Sequence, residues 1–531
     1  MTEKKQITTD AKIGKDVIES LTLGMYEDCR FIYREYVQNA ADQVDKAVAD
    51  HLLEKGEEAI HIQIDPDERT ITVEDNATGI PQHSVMPILR NVAHSTKQRG
   101  VDKGFRGIGR LGGLGYCSKL TFITSYKGED VVSIMTWDAE RLKEIINDRE
   151  YDAEAKDVLM EVTSLKTQKE DVDKHYFKVM LEDVTSDDLL DIESVREYLS
   201  MVAPVDIEMG FIFGTRIKEY MKEHGLSLDI YRIYVNGEQI FKPYKTQIYE
   251  PSQKGKKPVD EIYGVDFLMG KDDNGDILYW GWYTLSCLKG QMKPINLARG
   301  IRLRKENIQI GDAEICRKFF DKTNNQRFSF YFFGEIHAVS KDLIPNARRD
   351  YFGENKTCAE FEKKIKEDFL QLRGICQDAS KIRSSQRDID KKNKLKKTIE
   401  EKNRKGYTSK DEKEKLERQF EEAQKIAKKA RAELAKKQQE MAKANSPLLD
   451  IIDKFTPKQA GDTEISSPKP SPRVAAQNKK IPFRTDKPIY SCYSKHEKKL
   501  IGRIYASITN AVADERQREA LISKIEEDIT Q

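Results

Sequence analysis

FIYREYVQNAADQVDKA at residues 31–47, ITVEDNATGI at 71–80 and GFRGIGRLGGLG at 104–115 decide the fold by the order in which they occur. In the first stretch Tyr33, Val37, Ala40 and Val44 recur at helical spacing and form an apolar stripe. Glu35, Asn39 and Asp42 stand at i, i+4 and i+7, so they share a different face of that helix. A carboxylate and a carboxamide one turn apart suit a magnesium–phosphate site. Mg²⁺ takes oxygen ligands and keeps waters, and a glutamate can orient or deprotonate one of them. In the second stretch Ile71 and Val73 read as a strand with Asp75 at its end and a turn closing at Gly79. A carboxylate there can accept from an exocyclic amine such as that of adenine, and Gly79 lets the backbone come close to a ring.

The third stretch has six glycines in twelve residues, which excludes an ordinary helix or strand. Such loops turn backbone N–H groups toward phosphate oxygens. Gly107, Gly109, Gly112, Gly113 and Gly115 are the candidate contacts, joined by Ser95, Thr96 and Lys97 of HSTK just upstream. A dinucleotide loop of the Rossmann kind would follow the first strand of a βαβ unit, whereas this run follows a helix and a hairpin. It also lacks the closing G-K-[ST] of a Walker A loop.

Working outward, residues 1–350 have a mixed texture. Ile60, Ile62 and Ile64 alternate as a strand paired through DPDER with the strand at 71–73. LTFITS (120–125), VVSIMTW (131–137) and YFKVML (176–181) are further strands, with helices expected at 28–48, 139–147 and 193–201. A second mixed segment runs from about 226 to 352. Residues 381–445 then carry 22 basic and 12 acidic side chains and no proline. They read as one or two long helices broken around Gly406: a solvated stalk, a dimerising coiled coil or a basic surface for nucleic acid. Residues 456–485, with SSPKPSPR, read as a flexible linker. Beyond it, Ser494 and Glu497 have capping-box spacing, and Leu500, Ile501, Ile504, Tyr505 and Ile508 form an apolar stripe.

Composition sets broad limits. Of the 531 residues 38% are hydrophobic and 34% charged, enough for real cores and for long solvated helices. The net charge of +1 gives no global field toward nucleic acid or an anionic membrane. Seven scattered cysteines without a C-x-x-C pair fit a reduced, cytoplasmic setting. No stretch is apolar enough to span a membrane. The eight histidines are dispersed and none pairs with cysteine at ligand spacing.

The order E-x-x-x-N-A on a helix, strand–D-x-x-x-G, then a glycine-rich lid resembles the GHKL ATPase superfamily: gyrase-type topoisomerases, the 90-kDa heat-shock chaperones, histidine kinases, MutL and MORC proteins. The NAAD run at 39–42 is similar to the chaperones' N-A-S-D, and GFRG at 104–107 is the string found in MutL proteins. By that resemblance Glu35 is the general base, Asn39 holds Mg²⁺ and Asp75 binds the adenine of ATP, with Asp42, Gly79 and Lys97 also in the pocket. There are two departures. Ala77 stands where the family reads the first glycine of D-x-G-x-G, and YFKVML lacks the family's closing Gly-Thr. GTRI at 214–217 is a literal match, but it comes after the helix that should follow that strand.

Residues 334–352, GEIHAVSKDLIPNARRDYF, resemble the chaperones' middle-domain stretch leading to N-x-x-R-E, with Asn346, Arg349 and Asp350 in the same spacing. The resemblance implies that Arg349 reaches the γ-phosphate, with Arg348 the alternative if the register is off by one. A guanidinium offers a fork of donors to phosphate oxygens. The fold expected is α+β: a Bergerat-type α/β sandwich over 1–222, an α/β transducer over 223–355, a helical stalk over 356–445, a linker over 446–485 and a small helical unit over 486–531. The function implied is ATP hydrolysis driving closure of a homodimer, acting on a protein client. The alternative is a MORC- or MutL-like clamp on duplex DNA, in DNA transactions or phage defence, and a third reading is a non-hydrolysing scaffold. A histidine kinase is disfavoured because no helical hairpin with a phospho-accepting histidine precedes the ATP motifs.

Overall fold

The computed structural model describes residues 13–22, 28–54, 56–92, 107 and 109–455, with isolated positions from 493 to 525. The chain divides into a unit over 1–457 and another over 458–531. Of the C-terminal apolar stripe and the capping box, Glu497, Leu500, Ile504 and Ile508 lie outside the described residues.

The helices are α1 (Asp16–Thr22), α2 (Phe31–Ala49), α3 (Gln82–Arg90), α4 (Ala139–Asn147), α5 (Ala155–Glu161), α6 (Ile192–Val202), α7 (Gly214–Glu223), α8 (Lys356–Lys405) and α9 (Lys410–Lys443). The first sheet contains β1 (Ile60–Asp65), β2 (Thr70–Asp75), β3 (Lys119–Ser125), β4 (Val131–Asp138), β5 (Thr163–Lys169), β6 (Tyr176–Glu182), β7 (Ile233–Val235) and β8 (Glu238–Gln239). Its strand order is β5-β4-β3-β6-β2-β1-β7-β8. Along β1 the isoleucines are buried while His61, Gln63 and Asp65 are exposed, so one face of the sheet carries the core. On that face lie α2, α4 and α6, through Tyr33, Val37, Val44, Leu142, Ile145, Val195 and Leu199. The pairing of β7 with β1 carries this sheet to residue 239, past the break expected at 222.

A two-stranded ribbon, β9 (Gln247–Ser252) and β10 (Gly255–Glu261), leads into the second sheet. It contains β11 (Gly264–Lys271), β12 (Ile277–Leu285), β13 (Gly300–Lys305), β14 (Ile308–Ile310) and β15 (Phe333–Ala338), in the order β11-β12-β15-β13-β14. Eight consecutive residues of β12 are buried because both faces are covered. Trp280, Trp282 and Phe333 pack with Ile217 of α7, Phe211 and Tyr244. Tyr279, Tyr283, Leu303 and Ile336 pack with α8.

The stalk expected to be solvated is therefore structural over its first half. Phe361, Ile365, Phe369, Leu372, Cys376, Ala379 and Ile382 recur at helical spacing and bury against the second sheet. Gly406, with φ 94°, ends α8, and the Ser409 hydroxyl accepts from the Glu412 N–H to start α9. The return helix packs Ala423, Ala427 and Ala430 on the hairpin's inner face, the last two against Ile389. Residues 447–455, expected to open the linker, form a 3₁₀ run that buries Leu448, Ile451 and Phe455 in the same core. Their apolar side chains explain the difference.

Candidate active site

Helix α2 buries Phe31, Tyr33, Tyr36, Val37, Ala41 and Val44, and the Tyr33 hydroxyl donates to the Leu189 carbonyl at 2.6 Å. This fixes the rotation of the helix and hence the direction of its polar stripe. Glu35, Asn39 and Gln43 follow one another a turn apart, with Asp42 beside them. Glu35 is buried, and Asn39 and Asp42 are half-buried.

The two ends of this stripe meet different parts of the chain. At one end the Thr78 hydroxyl donates to Gln43 Oε1 at 2.9 Å, joining the turn after β2 to α2. Asp75 is 3% exposed and accepts the Ala77 N–H at 3.1 Å. A ring nitrogen of His175 lies 2.7 Å from the Ala77 carbonyl, and the Ile80 N–H donates to Thr124 at 2.8 Å. Gly79 has φ 67°, and a Cβ there would overlap the Ser125 carbonyl. Ala77 does not take a left-handed backbone, so a methyl group is accommodated where the resembling family has glycine. Opposite Asp75 in register stands Phe177 of β6, stacked on Phe122. Thr215 is exposed at the start of α7, whose Ile217 packs with the second sheet, so GTRI is not part of this site.

At the Glu35 end the glycine-rich run closes in. Residues 109–115 form a 3₁₀ segment with Leu111 and Leu114 fully buried. A Cβ on Gly109 would overlap Glu35 Oε2, so a side chain there would have to displace that carboxylate. Gly112 lies against Phe31 and Ile32, Gly113 against the Tyr36 hydroxyl, and Gly115 ends the segment half-buried. These contacts account for Gly109, Gly112 and Gly113 by close packing on α2. Gly107 has φ 70°. Ser95, Thr96 and Lys97 lie outside the described residues.

The segment Pro345–Phe352 also comes to this end. Arg34 places Nη2 3.6 Å from Glu35 Oε1 and donates from the same nitrogen to the Arg348 carbonyl at 3.4 Å. Arg348 has an exposed side chain, whereas Arg349 is 5% exposed in a left-handed backbone with φ 54°. Burial lowers the Arg349 pKa, and the carboxylates of Glu35 and Asp42 oppose that shift. Glu35 Oε1 is buried without a hydrogen bond. A carboxylate so placed fits a proton acceptor for a bound water. Among the described residues no three His, Cys, Asp or Glu side chains gather as a metal centre. The Asn39 carboxamide oxygen is of the kind that could take one position on a hard cation whose other ligands are phosphate and water oxygens.

Arg34, Gln43, Thr78 and His175 are site neighbours that the motif reading did not single out. Gln43 was visible as the next turn after Glu35 and Asn39. His175 and Thr78 meet the site only through tertiary contacts.

The first sheet with this stripe lies largely within a stretch that is similar to ATPase domains of the GHKL type. Residues 32–171 match the family described as "Histidine kinase-, DNA gyrase B-, and HSP90-like ATPase". The chain is 29% identical over 125 residues to "Chaperone protein HtpG" of Anaplasma phagocytophilum (strain HZ), covering 21% of this chain and 20% of that one. It is 31% identical over 113 residues to the HtpG of Anaplasma marginale (strain St. Maries), covering 20% and 17%. Against the HtpG of Idiomarina loihiensis it is 32% identical over 87 residues, covering 15% and 14%. The matched stretches thus span a fifth or less of those relatives. No helix among the described residues is long and apolar enough to cross a membrane.

Proposed function

We propose that the chain hydrolyses ATP and uses the cycle to open and close the joint between its two sheets. The observation that carries this reading is the meeting of Glu35 on α2 with the Arg349 segment from beyond the second sheet. Asp75 holds the adenine amine, and Asn39 supplies an oxygen to Mg²⁺, which neutralises phosphate charge when bound. Glu35 takes a proton from water as the water oxygen attacks the γ-phosphorus. The bond from that phosphorus to the β–γ bridging oxygen breaks, leaving ADP and inorganic phosphate. Arg349 donates to the γ-phosphate oxygens and stabilises their growing charge. In its absence the segment carrying Arg349 is free to leave α2, and closure follows the nucleotide.

The similarity to chaperones supports a protein client, and in our reading the chain works as a homodimer whose closed state hydrolysis resets. The test is Glu35→Ala followed by calorimetric titration with ATP and by phosphate release. We expect ATP affinity within about threefold of wild type and turnover lower by roughly 10²–10⁴-fold. Loss of binding with the fold intact would remove Glu35 from this role.

One observation favours duplex DNA as the thing acted on. Lys425, Lys429, Lys436 and Lys443 are exposed and stand at i, i+4, i+11 and i+18 on α9, opposite the buried Ala423, Ala427 and Ala430. A lysine stripe of this kind can follow a phosphate backbone. DNA-stimulated ATPase activity that falls steeply with salt and is lost when these lysines become glutamines supports that reading; activity indifferent to DNA removes it.

A further inference from the structure

Beneath the site, the second sheet buries a cluster of charges that the proposed chemistry does not use. The Glu335 carboxylate of β15 is fully buried. Its Oε1 accepts from the Tyr244 hydroxyl at 2.7 Å and lies 2.8 Å from Lys242 Nζ. The same oxygen is ion-paired with Arg304 Nε, and Oε2 is 3.1 Å from His337 Nε2. Lys242 also donates to Asn307 Oδ1 at 2.6 Å. Arg304, Lys242, Tyr244 and Asn307 are each no more than 1% exposed.

The outward bonds of this knot all cross a joint. Arg304 Nη2 donates to the Met201 carbonyl at the end of α6 at 2.6 Å. Asn307 Nδ2 donates to the Asp229 carbonyl at 2.6 Å, and the Lys242 N–H donates to the Asp206 carbonyl at 2.8 Å. The second sheet is thus tied to the segment that leaves the first. On its other side the knot fixes the turn from β13 to β14, where Glu306 and Asn307 both have positive φ. From there β14 runs three residues to Gly311, whose N–H donates to the Arg349 carbonyl at 2.8 Å. The Glu306 carboxylate also acts on the Arg349 charge. A buried ion cluster is weak evidence for stability, since desolvation offsets the attraction; its best-attested use is to specify one arrangement over another.

We infer that Glu335, with Arg304 and Lys242, is a positioning device that sets the β13–β14 turn and through it holds Arg349 against α2. The inference rests on the proposed role of Arg349. The test is Glu335→Gln, alone and with Arg349→Ala, in the full chain. Turnover, ATP affinity and hydrogen exchange of the segment 306–314 are measured together. Glu335→Gln is expected to lower turnover roughly 3- to 30-fold with ATP affinity unchanged and faster exchange at 306–314. It should have no further effect in the Arg349→Ala background. Effects that multiply in the double variant, or unchanged turnover in a folded single variant, overturn the inference. If Arg349→Ala alone leaves turnover intact, the proposed arginine role falls, and exchange at 306–314 decides the knot: faster exchange supports it, unchanged exchange sinks it. Should Glu335→Gln fail to fold, Lys242→Met carries the same measurements.

Discussion

Glu35 of α2, on the helical layer over the first sheet, and Glu335 of β15, in the second sheet, are both buried, and their surroundings treat them in opposite ways. Glu335 is saturated: hydroxyl, lysine, arginine and histidine surround both of its oxygens. Glu35 keeps Oε1 buried without a hydrogen bond, 3.6 Å from Arg34 Nη2, while its Oε2 lies beside Gly109. A saturated carboxylate holds structure, because every lone pair it has is already used. One left open at low exposure is poised for a ligand or a proton, and such groups gather where chemistry happens. The difference separates a site built to react from a joint built to hold.

Stability measurements break this comparison first. Glu335→Leu should cost about 3–5 kcal/mol, because it strands Lys242 and Arg304 in the core. Glu35→Gln should change stability by less than about 1 kcal/mol. Equal losses in chemical denaturation would erase the distinction. On the ligand side, Asp75→Asn should weaken ATP binding by roughly 10- to 100-fold, the loss of a charge-assisted hydrogen bond. Retained affinity in a calorimetric titration would remove the adenine role.

A smaller effect sharpens the picture of the joint. Burial and the nearby Lys242 and Arg304 hold the His337 pKa down at about 4 against an ordinary 6.5, although Glu335 pulls the other way. Between those values the unfolded chain binds a proton that the folded one refuses, so stability falls as pH drops from about 6.5 to 4. The contribution is on the order of 3 kcal/mol. His337→Gln should flatten that part of the profile. A wild-type slope unchanged by the substitution would mean that other groups set it. Smallest of all, Lys429→Gln on the exposed face of α9 should leave stability within about 0.5 kcal/mol.

The strands of the first sheet were largely legible in the sequence because each is a short apolar run, although their order, with β6 between β3 and β2, was not. Alternation at 60–64, the strand candidates at 120–125 and 131–137, and the helical stripe through Tyr33 and Val37 fall where β1, β3, β4 and α2 stand. The second sheet was not resolved into strands. Eight buried residues in a row along β12 give no alternation to read. The base of α8 was placed in the helical stalk because its apolar residues are diluted by lysine and glutamate, although Phe361, Ile365 and Phe369 already mark a face that packs on the second sheet. In the site, Glu35, Asp75 and Gly79 stand on the elements expected for them. Gly109, Gly112 and Gly113 are explained by contact with α2, and that cause is invisible without the fold. The Glu335 cluster draws on three separated segments of chain, around 242–244, 304–307 and 335–337, so no spacing could have announced it.

The central claim is that one site is shared between α2 and the segment carrying Arg349. Its most direct measurement is single-turnover hydrolysis by Arg349→Ala beside a calorimetric ATP titration of the same protein. The account predicts turnover reduced by roughly 10³-fold or more with ATP affinity within about threefold of wild type. Turnover equal to wild type in a folded, ATP-binding Arg349→Ala protein would contradict it.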